Sequence, residues 1–152
     1  MLKIQEFNNL TDNEAIAMYQ SPALVAVLIA AADDNIETEE LEWAKKIMGY
    51  RQHVGNEHLF PFYEIADTYF DETLTKIVNN GRGDQERLAF IESALESLNP
   101  IFAKVDKDFA AELFKSLKSF ARSVAKSHGG FLGLKSINYQ EAELIDLHMI
   151  KL

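Results

Sequence analysis

The decapeptide AADDNIETEE, Ala31 to Glu40, concentrates the residue types best suited to chemistry in this chain: seven of its ten positions carry charge or can chelate. Asp33, Asp34, Glu39 and Glu40 offer the oxygen ligands that hard divalent cations take. Asp33, Asp34, Ile36 and Glu40 fall in the order used by the second half of a calcium-binding EF-hand loop. The first half excludes that loop. Its carboxylate positions fall on Ile29 and Ala31, and the position that needs glycine for a sharp turn holds Asp34. Two readings remain open, a divalent-cation site of another kind or acids that favour the positive end of the next helix. Helical spacing turns Glu40 toward the face of Trp43, Ala44 and Ile47, and a carboxylate facing a core must be hydrogen-bonded or paired. Glu141 repeats that arrangement with Ile145 and His148 near the other end of the chain.

Other chemistry-bearing residues point less far. Lys115, Lys118, Arg122 and Lys126 recur as one basic stripe on the polar face of a helix, either a solvated face or a docking site for an acidic protein partner. His128 and His148 read either as transition-metal ligands or, as histidines more commonly are, as ordinary surface or loop residues. His53 and His58 flank a loop without the HExxH spacing of zinc proteases. No Glu-x-x-His pair, GxSxG elbow, Walker A loop or cysteine nucleophile occurs, so an enzyme is not expected. No organic cofactor is implied.

These groups must be positioned by a chain of 152 residues, enough for a single domain over 1–152 that buries about two thirds of its unfolded surface. There is no cysteine, which excludes disulfides and thiolate metal sites and fits a reducing, cytoplasmic setting. The most apolar run, PALVAVLIAAA, spans 11 residues, whereas a membrane span needs about 20, so no transmembrane segment is expected. The net charge of −9 argues against nucleic acid as a partner. That charge is uneven: residues 1–100 hold 7 Lys/Arg against 18 Asp/Glu, whereas residues 101–135 hold 7 against 3.

Nearly every segment carries a helical period, which predicts an all-α chain of about seven helices. Thr11 to Glu14 form a capping box that opens a short helix ending at Pro22. Pro22 opens a second helix, apolar all round and therefore central, to about Ala32. Further helices are expected at about 38–52, 57–78 with Pro61 at its start or at a kink, and 84–98. The cleanest amphipathic helix covers 106–126, with Phe109, Leu113, Leu117, Phe120 and Val124 as its apolar stripe. Asn138 to Glu141 begin a terminal helix.

Aligning Ile36 with Ile137 brings Glu40 onto Glu141, so each half reads as a helix, a loop, an Ile that plugs the core and a helix with Glu in its first turn. ALVAVLIAAADDNIETEELEWAKKI thereby resembles the tellurite-resistance TerB-like family, whose signature is an apolar helix, Ala-Asp-Gly-x-Ile and a Glu-bearing helix. VAKSHGGFLGLKSINYQEAELI is similar to the second half of that family. The chain departs from the pattern at Asp34, where the family has Gly, and at His128-Gly129, where it has a second Asp-Gly. The resemblance implies a helical bundle with two pseudo-repeats, acidic surfaces proposed to bind metal ions, and association with tellurite and chemical stress. The expected function is non-enzymatic, with a divalent cation held by Asp33, Asp34, Glu39, Glu40 and Glu141. The alternative is a metal-independent protein-interaction module that uses the acidic loops and the basic stripe.

Overall fold

Thr11 sets the first long helix. Its hydroxyl accepts the Glu14 N–H at 3.2 Å, and the Glu14 carboxylate accepts the Thr11 N–H at 2.9 Å, which completes the expected capping box. The computed structural model describes residues 1–32, 36, 38–79, 83–129 and 144–152, with the side chains of 84 and 127–129 left aside. Helix α1 (Asp12–Ala30) does not break at Pro22 as the sequence predicts. A mid-helix proline removes the N–H that would bond the carbonyl four residues back. Here that carbonyl belongs to Met18, and the buried Ser21 hydroxyl donates to it at 2.7 Å. The orphaned acceptor is satisfied from inside the helix, and two expected helices become one. The merged helix is long and apolar enough to cross a membrane by length and composition, and 72% of its apolar window is buried inside the bundle.

Four more long helices follow: α2 (Thr38–Tyr50), α3 (Phe60–Val78), α4 (Asp84–Glu96) and α6 (Lys107–Gly129), with a single turn, α5 (Asn99–Phe102), before the last. All regular structure among the described residues is helical: five long helices rather than about seven, this short turn, and 3₁₀ turns at Gln5–Phe7 and Glu57–Leu59. Pro61 sits in the first turn of α3, where its missing N–H costs nothing. The Asp106 carboxylate caps α6 by accepting the N–H groups of Asp108 and Phe109, each at 3.1 Å. Arg87 closes the other end of α3 by donating to the Ile77 and Val78 carbonyls.

Helix α1 is the centre, packing against α2, α3, α4 and α6. Residues Ala23 to Ala32 of the chain are buried on every side, which explains why this stretch shows no amphipathic pattern. Phe7, from a short 3₁₀ turn (Gln5–Phe7), plugs one end of the core against Tyr19, Phe62 and Phe109, with ring centroids 5.2, 6.1 and 5.9 Å away. Each such fully buried ring contributes roughly 1.5–3 kcal/mol of transfer free energy. Ile36 is half-buried and packs on the same core. Its counterpart Ile137 lies outside the described residues.

The end of the chain differs from the expected terminal helix. Leu144 and Ile145 are helical, but Leu147 adopts a left-handed backbone, φ 48°, and turns follow. His148 is therefore exposed on a turn rather than on a helix face reaching back to Glu141. Asn99 holds this segment from both sides, donating to the Met149 carbonyl at 2.9 Å and accepting the Lys151 N–H at 2.8 Å.

Candidate functional site

The clearest concavity lies along the seam of α2 and α6, and small residues open it. Ser116, Ser119 and Ser123 recur at helical spacing on the side of α6 that meets α2, so the helices approach closely there without filling the seam. Trp43 donates its indole N–H to the Ser123 carbonyl at 3.2 Å. Arg51, just past the end of α2, sends one guanidinium nitrogen to the Ser116 carbonyl at 3.2 Å and to its hydroxyl at 3.0 Å, and another to the Ser119 hydroxyl at 3.0 Å. The guanidinium also lies 5.8 Å from the ring centroids of Tyr63 and Phe120. Tyr63 shares a 2.6 Å hydrogen bond with the Ser116 hydroxyl, and burial pushes its phenol above the usual range against the opposing pull of Arg51.

This network divides the groove into two hollows of about 540 and 720 Å³, with Tyr50 and Arg51 on the ridge between them. Such volumes match those that hold a few side chains or a small ligand. Trp43 walls one hollow and is 45% exposed, Tyr50 is 65% exposed, and Val54 edges the other hollow at 47%. Large apolar groups left open together in a groove mark a contact surface more than scattered single residues do. Trp43, expected on the core side of α2, instead faces the groove. The buried stripe is Glu40, Ala44 and Met48, which swings Trp43 out into the groove.

The predicted site residues divide between two regions. Lys115 and Lys126 line the two hollows, one each. Lys118 instead lies 4.6 Å over the ring of its own helix's Phe114, and Arg122 projects from the exposed side of α6. Glu39 is exposed and edges the hollow beside Lys126, whereas Glu40, one residue on, is buried at 1%. Successive helical residues leave the axis about 100° apart, so these two carboxylates do not converge on one point. Asp33, Asp34 and Glu141 lie outside the described residues. Among the described residues, no group of three or more His, Asp or Glu side chains is arranged to hold a metal ion.

Sequence reasoning missed Arg51 and Tyr50, and the signal that could have found them is the serine spacing in KSLKSFARS. Small residues at i, i+3 and i+7 on an otherwise charged helix face indicate that another element runs close by. No protein-family model matches this chain, and no curated protein or solved structure matches it significantly.

Proposed function

We propose that this chain is a non-catalytic, TerB-like helical module that docks a protein partner in the α2–α6 groove. The observation that carries the reading is the cluster of exposed Trp43, Tyr50 and Val54 along two hollows. The polar groups at the base of the groove are tied to one another, which favours a rigid binding surface over a reactive centre. The TerB-like part of the reading rests on the resemblance of residues 23–47 and 124–145 to that family, and Ile36 against the core and the burial of Glu40 are compatible with it. A cysteine-free chain suits the reducing cytoplasm, and the stress-associated role is what the TerB-like resemblance implies.

A photo-crosslinking residue at Tyr50 should give a discrete adduct in cells, and the same residue at exposed Phe90 on α4 should not. No adduct at Tyr50, or the same adducts from both positions, would contradict the docking reading.

A second reading, a divalent cation at the α1–α2 junction, is favoured by the burial of Glu40 beside Asp33 and Asp34 in sequence. Hard divalent cations take carboxylate oxygens, and Asp33, Asp34 and Glu40 supply them within eight residues of chain. Thermal unfolding of chelator-treated protein with Ca²⁺, Mg²⁺, Mn²⁺ or Zn²⁺ in turn tests it. A cation at a hundred times its Kd stabilises by about 2.7 kcal/mol, and the pair Asp33→Asn with Glu40→Gln should abolish that gain. No shift with any ion removes this reading.

A further inference from the structure

Resting on the docking reading, we infer that the α2–α6 groove takes an acidic segment of another protein, anchored by one or two bulky apolar side chains. The charge pattern around the groove is the reason. Elsewhere on the surface four lysines have carboxylate partners, Lys3 with Asp12, Lys45 with Asp71, Lys76 with Glu72 and Lys104 with Glu14, whereas Lys46, Lys107 and Lys151 form no ion pair with a described residue. Arg51, Lys115 and Lys126, which line the groove, form no ion pair with any described residue in a chain with 24 Asp and Glu, and neither do Lys118 and Arg122 elsewhere on α6. Arg51 is fixed in place by neutral oxygens alone, so its position is set while its charge is left uncompensated. Two carboxylates, Glu39 and Glu112, also reach the rims, and Arg51, Lys115 and Lys126 outnumber them there.

The geometry sets the spacing of the partner. Lys115 and Lys126 stand eleven residues apart on one helix, which places them about 16 Å apart along the groove. An extended segment would meet both with acids about five residues apart and drop apolar side chains between them, beside Tyr50 and Trp43. A short segment suits this surface better than a nucleic acid. Fields decay over about 8 Å at physiological ionic strength, so a short acidic segment responds to the local cations. A polynucleotide would extend past them onto the acidic remainder of a −9 chain.

Trp43 is the only tryptophan and lines the groove, so its fluorescence reports occupancy directly. The probe is a short peptide with paired Glu and Asp residues at that spacing around one Leu and one Phe. The full chain should give a saturable change with this peptide, weakened about tenfold by Lys115→Gln with Lys126→Gln and weakened further by added salt. Both lysines are exposed, and the unfolding curve of the variant should match the parent, which separates lost binding from lost fold. Equal binding of the Gln/Asn version of the peptide, equal binding by the variant, or displacement by a single-stranded oligonucleotide overturns the inference. A discrete Tyr50 adduct in cells alongside a silent acidic peptide would overturn the charge inference and leave the docking reading standing. Failure of both would remove the two together.

Discussion

Helices α1 and α6, of 19 and 23 residues, touch each other. They solve opposite problems. From Ala23 to its end, α1 is enclosed by four neighbouring helices, so every polar group inside it must be satisfied locally. Ser21 answering the carbonyl freed by Pro22 is the clearest instance. Helix α6 buries only one stripe, Phe109, Leu113, Leu117, Phe120 and Val124. Its other faces carry the serines of the groove and the lysines and arginine that lack ion-pair partners. One helix is specified by what encloses it, the other by what it leaves open. Changes on α1 should therefore cost stability, and changes on the open face of α6 should cost binding alone.

That contrast can be broken most easily in the core. Leu28→Ala on α1 removes a fully buried side chain and should cost about 2–5 kcal/mol, which chemical denaturation would measure. A loss below ~1 kcal/mol would mean that α1 is not the tightly enclosed centre described above. Next in size, Ser21→Ala should cost about 1–3 kcal/mol by leaving the Met18 carbonyl without a donor. In a Pro22→Ala background the backbone N–H returns, and the cost of losing the Ser21 hydroxyl should largely disappear. A double-mutant cycle without such coupling would discard this account of the unbroken helix.

At the base of the groove, Tyr63→Phe should cost about 0.5–1.5 kcal/mol at neutral pH through its bond to Ser116. It should also change the alkaline behaviour. Burial raises the Tyr63 phenol above its ordinary 10.0, so the folded state holds that proton more tightly than the unfolded state. Its contribution is complete below pH 10.0 and is lost as pH rises above it, and the Phe variant should lose less stability over that range. Melting temperatures on both sides of pH 10.0 check the sign. Smallest of all, Lys115→Gln and Lys126→Gln should each leave stability within about 0.5 kcal/mol of the parent.

Much of this architecture is legible in the residues. The capping box at Thr11, the start of α3 at Pro61 and the amphipathic stripe of α6 are local signals, and local signals survive folding. The unbroken α1 was not legible, because helix propensity scores proline as a stop and does not register a neighbouring hydroxyl that mends the gap. The exposure of Trp43 is a matter of register: helical spacing allows a face through Trp43, Ala44 and Ile47 or one through Glu40, Ala44 and Met48, and the second is the one fully buried. The groove itself depends on contacts such as Arg51 with Ser116, 65 residues apart in sequence, which no local pattern encodes. The acidic loop was the most conspicuous feature of the sequence, yet of its candidate ligands only Glu39 and Glu40 fall among the described residues, and they diverge.

The most direct test is an amide chemical-shift map of the full chain titrated with the acidic, Leu- and Phe-bearing peptide. Shifts should concentrate on the groove-facing residues of α2 and α6 and the segment just after α2, Trp43, Tyr50, Arg51, Ser116, Ser119 and Ser123 among them, with α1 and α4 unmoved. Shifts centred instead on the junction between α1 and α2, or no localised shifts at all, would contradict the claim that the α2–α6 groove is the working surface of this protein.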